Sequence, residues 1–292
     1  MHVSAAASDP TPGSPTPVRR TMKAAKAALR HPPRIAPHTP IRVGVDLGTA
    51  FSVVMVTDRD GAPLAAATRF ADVVRDGVVW DFAGAQAVIR ELRNEVEAAT
   101  GRTLTQGAVT IPPAVGAADH RAHRYVLEGA GIECTAVVDE TTAANAVLGI
   151  TDGAVVDIGG GTTGVAILRG GEVIANIDEP TGGTHLSLVI AGALKIPLAE
   201  AEKRKVRKRE QEALLPLVHP TLEKISTIVR AAVAGHDVDV IHLVGGTAAF
   251  LGIADIMADI TGIRTVVAPE PMLVTPLGVA SFAEPIAQKG GH

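Results

Sequence analysis

From Ile41 onward, short runs of apolar, β-branched residues alternate with longer stretches whose apolar positions recur every three to four residues. The short runs read as buried strands and the longer stretches as amphipathic helices. The pattern predicts strands at 42–47, 51–58, 62–70, 107–111 and 133–138, and helices at 82–100, 118–130 and 140–149. It then begins again, with strands at 153–158, 163–169, 171–178, 239–244 and 264–267 and helices at 183–194, 198–211, 213–234, 248–260 and 274–284. Asp60-Gly61 and Gly170-Gly171 fall between β-type runs and mark hairpin turns. The class is therefore α/β.

The restart is a true internal repeat. Val43–Val56 reads VGVDLGTAFSVVMV and Ala154–Leu168 reads AVVDIGGGTTGVAIL. Each has a buried strand, an Asp, a Gly-rich turn with Thr, and a returning β-branched strand. Glycines let a main chain bring its amides close to a polyphosphate. An Asp just before such a turn would repel phosphate, but it is well placed to hold Mg²⁺ through metal-bound water. Two such turns imply two similar lobes facing one cleft. Gly159, Gly161 and Gly164 also satisfy the dinucleotide fingerprint G-x-G-x-x-G, with Glu179 downstream. That fingerprint needs a helix directly after the glycines, whereas TTGVAILRGGEVI reads as a hairpin. No P-loop sequence occurs. A third glycine corner, His242–Thr247, carries little weight alone but adds to the other two.

Residues 1–40 break the pattern. They hold 8 of the 19 prolines, with six basic residues against the single acid Asp9. The stretch 9–17 reads as unstructured, while 20–30 could form a short helix with Met22, Ala25 and Leu29 on one stripe. The segment is taken as a disordered arm; a docking peptide or a mitochondrial targeting segment are its other compositional readings. Hydrophobic residues make up 47% and charged residues 20% of the 292, which is globular composition. The net charge of −4 and the 2% of aromatics argue against a nucleic-acid partner. A single cysteine, Cys134, excludes an intrachain disulfide and a four-cysteine zinc site. No apolar run is long enough to span a membrane, and the expected compartment is the cytoplasm.

Taken together, these residues resemble the superfamily of actin-like, DnaK-chaperone and sugar-kinase ATPases. GVDLGTAFS (44–52) and VVDIGGGTTGVAIL (155–168) look like its two phosphate motifs. VVDETTAANAVLG (137–149) and TPLGVASFA (275–283) look like its connecting helices, and HLVGGTAAFLGI (242–253) like its adenosine motif. AVTIPPAVGAADHRAHRYVLEGAGIE (108–133) and PTGGTHLS (180–187) are similar to blocks of the DnaK chaperones. Within the superfamily, FADVVRDGVVWDFAGA (70–85) with the second phosphate motif and the TGG block resembles the ethanolamine-utilisation protein J family. The resemblance covers 41–284. It implies an actin-like fold of two ribonuclease-H-like lobes: 41–150 completed by a C-terminal helix at 272–285, and 151–271, with a tail at 286–292. Carried over, Asp46 and Asp157 would hold the waters of Mg²⁺. Gly48 and Thr49 would meet the β-phosphate, and Gly159, Gly160, Gly161 and Thr162 the β- and γ-phosphates of ATP. Glu140 would position the attacking water. Gly182 and Gly183 would form a phosphate- or ribose-side loop, Glu200, Lys203 and Arg204 would line adenosine, and Gly245 and Gly246 would lie under adenine.

The chain also departs from the family. Ala249 stands where the chaperones stack an Arg on adenine, and Ala50 replaces the second Thr of the first turn. Both outer subdomains are reduced, no equivalent of the chaperones' catalytic lysine is found, and no appended peptide-binding domain is expected. The implied function is a slow Mg²⁺-dependent ATPase with a chaperone- or assembly-like role in ethanolamine utilisation. Its protein partner would be ethanolamine ammonia-lyase or a component of a bacterial microcompartment, with which it could associate. A non-hydrolysing nucleotide-binding scaffold and a small-molecule kinase are the alternatives. The basic run Lys203–Arg209 reads chiefly as a solvated helix face, and His120 and His123 lack the further ligands a metal needs. Cys134 reads as a small buried side chain and Trp80 as the anchor of the reduced outer lobe.

Overall fold

The structure, a computed structural model, describes residues 17–75, 77–113 and 116–287. The first sheet contains β1 (Ile41–Leu47), β2 (Phe51–Asp58), β3 (Pro63–Phe70), β6 (Gln106–Ile111) and β7 (Glu133–Asp139), ordered β3-β2-β1-β6-β7. The second contains β8 (Gly153–Ile158), β9 (Thr163–Arg169), β10 (Glu172–Glu179), β11 (Val240–Val244) and β12 (Arg264–Val267), ordered β10-β9-β8-β11-β12. In both, three antiparallel strands lead through crossovers to two parallel ones. The sequence repeat is thus a structural repeat. Parallel strands require crossover connections and covered faces, which the helices supply. A two-stranded hairpin of β4 (Val74–Arg75) and β5 (Val78–Val79) is an addition that the hydropathy pattern did not announce.

The first lobe's core lies between its sheet and α2 (Phe82–Thr100) and α3 (Ala117–Gly129), around Ile89, Leu92, Leu104 and Leu127. The second lobe's core lies beneath α5 (Gly183–Leu194), α6 (Leu198–Val206), α7 (Lys208–Val233) and α8 (Ile253–Thr261). The expected single helix over 198–211 is split, because Arg207 takes an extended conformation between α6 and α7. The expected helix over 248–260 begins instead as a 3-10 turn at Thr247–Ala249, and Gly252 at φ 82° separates it from α8. Among the described residues, no helix is long and apolar enough to cross a membrane.

Two short helices join the lobes: α4 (Glu140–Leu148) and α9 (Val274–Ala280), the latter buried at every position. They cross in direct contact, and a Cβ added at Gly278 would collide with the carbonyl oxygen of Ala143. Beyond α9, Ile286 bridges back to Ile41 in β1, so the C-terminal segment closes the first sheet.

The expectation of disorder over 1–40 is corrected for its described part. Pro17–Arg30 forms helix α1, with Met22, Ala25 and Ala28 buried. Met22 and Ala25 join an interlobe cluster with Val53 and Met55 of the first sheet and Val155, Val244 and Leu277. Proline and charge suggested a solvated arm, but burying a Met side chain is worth about 1.5–3 kcal/mol. That contribution, on a helix with a ready-made apolar stripe, decides the outcome. Residues 1–16 and the tail beyond 287 lie outside the described residues.

Gly278→Ala is expected to force α4 and α9 apart and to destabilise the fold by about 1–3 kcal/mol, as overpacking generally does. Chemical denaturation of the variant beside the wild type would measure it.

Candidate functional site

Both repeat carboxylates stand near the C-terminal ends of the central strands β1 and β8, where open α/β sheets bind ligands. Asp46 accepts a hydrogen bond from Thr110 Oγ1 at 2.6 Å, and Asp157 accepts one from Thr275 Oγ1, also at 2.6 Å. Glu140 is the first residue of α4. Asp139 caps that helix by accepting from the Thr142 amide at 2.8 Å and from Thr141 Oγ1 at 2.6 Å. Asp46, Glu140 and Asp157 therefore come together from three elements around one cavity of about 340 Å³.

Glycine turns from both lobes form the rest of the wall: Gly48 and Thr49 on one side, Gly159–Thr162 on the other, and Gly245 and Gly246 at one end. The carbonyl of Gly159 is engaged on the far side, accepting from the Gly183 amide at 2.9 Å and from Thr247 Oγ1 at 2.7 Å. The carbonyl of Gly160 accepts from the Thr184 amide at 2.7 Å. Among the described residues no backbone carbonyl takes the amides of Gly160, Gly161 or Thr162. Gly245, at φ 88°, allows no side chain, because a Cβ there would strike Asp157 Oδ1.

Gly182 and Gly183 do not line the cavity; they buttress the second phosphate turn from behind. Glu200, Lys203 and Arg204 do not line it either, and Arg204 is engaged with Glu200 at 3.3 Å on the outer side of α6. The charged residues of that helix that line the cavity are Glu202 and Lys205, beside Val206; they lie two positions further on in one case and one or two in the other. They form a buried ion pair at 2.7 Å. Lys205 Nζ also donates to the Gly183 carbonyl at 2.8 Å, and Ser187 Oγ donates to Glu202 Oε2 at 2.5 Å. The stretch AEAEKRK contains Glu-x-x-Lys twice, at 200–203 and 202–205, so spacing alone could not choose. Burial on α6 selects the second. Thr110, Thr275 and Thr247 were not foreseen, since they meet their partners only through the folded chain.

The electrostatics are one-sided. Burial, opposed by the Thr110 hydrogen bond and reinforced by Asp157, pushes the Asp46 carboxyl from an ordinary 3.8 to about 7. Burial likewise pushes Asp157 to about 6, against its bond from Thr275. Glu140 is raised well above its ordinary range, first by burial and then by the charges of Asp157 and Asp46. Lys205 is the one cationic side chain lining the cavity among the described residues, and it is already paired. An oxygen-only set of this kind fits a hard divalent cation. Among the described residues no three His, Cys, Asp or Glu side chains converge on one metal position. A cation here would thus reach the carboxylates through water and complete its shell on phosphate oxygens, as Mg²⁺ commonly does.

A family model described as type IV pilus assembly protein PilM matches residues 127–277. The ethanolamine utilization protein EutJ of Escherichia coli strain K12 is 40% identical over 247 residues, covering 84% of this chain and 87% of that protein. The chain belongs to the EutJ family. The crystal structure of EutJ from Carboxydothermus hydrogenoformans matches with a TM-score of 0.85 at 42% identity, over 91% of this chain and 98% of that one. MreB5 of Spiroplasma citri, solved with AMPPNP, matches with a TM-score of 0.67 at 18% identity, over 83% of this chain and 95% of that one. The fold is accordingly that of the actin-like ATPases.

Between 3.8 and about 7 the folded chain holds protons on Asp46 and Asp157 that the unfolded chain has released. Stability from this cluster therefore falls as pH rises across that window. Thermal melting of the ligand-free protein is expected to drop as pH rises from about 4 to about 7, and Asp46→Asn to flatten that slope.

Proposed function

We propose that the cleft binds ATP with Mg²⁺ and that the protein hydrolyses it slowly, using lobe closure and opening to act on a protein partner in ethanolamine utilisation. Ethanolamine ammonia-lyase or a microcompartment component is the proposed partner, in keeping with the ethanolamine-utilisation family. The reading rests above all on the convergence of Asp46, Asp157 and Glu140 on a cavity ringed by glycine turns from both lobes. Such a cluster needs positive charge, and a polyphosphate brings its cation with it.

Mg²⁺, when bound, neutralises charge on the phosphate oxygens. The amides of Gly160, Gly161 and Thr162 donate to those oxygens. Asp46 and Asp157, fixed by Thr110 and Thr275, would hold Mg²⁺ through water. Glu140, held at the start of a capped helix, aligns the attacking water and accepts its proton. Catalysis is then positioning and charge neutralisation. Closure would pivot on the contact of α4 with α9.

A specific observation supports a second reading, a nucleotide-binding scaffold that does not hydrolyse. Lys205 is committed to Glu202 and Gly183, which leaves the lining without a free cation for transition-state charge among the described residues.

Mg²⁺-dependent phosphate release from ATP, measured beside Asp157→Ala and Glu140→Ala, separates the two. Slow release in the wild type, lowered about a hundredfold or more by Glu140→Ala, is expected for a residue that handles the proton. A folded wild type that binds ATP and releases no phosphate would establish the scaffold instead.

A further inference from the structure

A second cavity of about 300 Å³ adjoins the first. The two share Lys205, Val206, Gly246, Thr247 and Met272 as lining, so they lie side by side as an inner and an outer compartment. Their chemistry differs. The inner compartment offers carboxylates and amides. The outer one offers the apolar side chains of Leu29, Phe250 and Met272, with Gln211 and Lys208 as polar lining. That combination suits a flat heteroaromatic ring with a polar rim. Each compartment alone lies at the small end of the usual range of about 300–1,000 Å³ for ligand sites.

One wall of the outer compartment belongs to neither lobe. Lys26, Leu29 and Arg30 come from α1. This helix lies across the junction, with Met22 and Ala25 in the interlobe cluster. Lys26 Nζ reaches Glu270 Oε1 at 2.6 Å. That pair is partly exposed and is a weak tether on its own, but its position matters. Glu270 takes a left-handed conformation at φ 46°, and the next residue, Pro271, accepts from the Gly245 amide at 3.0 Å. The helix is thereby joined through one short segment to the glycine turn at the end of the inner compartment.

We propose that α1 is part of the ligand site: Leu29 and the aliphatic stem of Lys26 form the wall against which the base and ribose of the nucleotide pack. The proposal rests on the nucleotide reading of the cleft. Since the same helix binds both lobes, ligand occupancy and helix docking strengthen one another, and by linkage the coupling is reciprocal.

The test uses the full chain and two ligands, Mg²⁺-ATP and Mg²⁺-tripolyphosphate, the second having no nucleoside. Leu29→Trp fills the outer compartment and Leu29→Ala removes its apolar wall. Leu29→Trp is expected to weaken ATP binding by about tenfold or more, a readily measured step in affinity, while tripolyphosphate binding stays at the wild-type level and reports intact folding. Independently of any variant, ATP but not tripolyphosphate is expected to slow amide exchange over 17–30 in the wild type. Equal ATP affinity in wild type and Leu29→Trp, or the same exchange over α1 with either ligand, would overturn the role of the helix while leaving the nucleotide site standing. A wild type that binds neither ligand would overturn both readings.

Discussion

Negative charge gathered in a space with little water is the constraint that organises this molecule. Asp46, Asp157 and Glu140 come from three different elements, and among the described residues no ion pair joins any of them to a cationic side chain. The surrounding structure provides only partial relief. Each aspartate receives one threonine hydroxyl, Glu140 sits at a helix start where the macrodipole favours an acid, and the nearest lysine is consumed by Glu202. Left alone, such a cluster is an electrostatic cost that the packed lobes must absorb. On the proposed reading, the same cost would become affinity for a cation, since a ligand that relieves it binds the folded state alone.

The arrangement around the cluster serves that end. The carbonyls of Gly159 and Gly160 are taken by Gly183, Thr184 and Thr247, which fixes the second glycine turn without using the amides of Gly160, Gly161 or Thr162. Gly182 and Gly183 act as backing, and the Glu202–Lys205 pair stiffens that backing. A buried ion pair is weak support for stability as such. Here it anchors α6 and α5 to the turn, and so fixes the turn's position.

Much of this was legible in the sequence because the decisive signals were local. Strand, Asp, glycine turn and returning strand occur within some fifteen residues, so both glycine turns and the duplicated lobes could be read directly. Glu140 was legible for the same reason. What escaped depends on contacts between distant segments. Thr110 and Thr275 reach their aspartates only after the sheets form. Glu202 and Lys205 hid in a run where the same spacing occurs twice, and only the buried face of α6 distinguishes the copies. The arm at 17–30 was misjudged because its charge and proline content describe an isolated peptide, whereas Met22 and Ala25 find an interlobe surface whose existence the local sequence does not reveal.

The closure of the first lobe by the last elements of the chain has a consequence for biosynthesis. A Cβ at Gly44 in β1 would lie 2.6 Å from the Pro276 carbonyl and 2.6 Å from the Ala280 amide, and Ile286 bridges to Ile41. The strand that begins the first sheet is thus covered by a helix made more than two hundred residues later. The two lobes do not follow one another as independent units emerging from the ribosome. The first must wait, with its central strand partly uncovered, until nearly the whole chain has been synthesised. Contacts of such sequence separation form slowly and leave apolar surface open in the meantime. During its own synthesis the chain is therefore in need of protection.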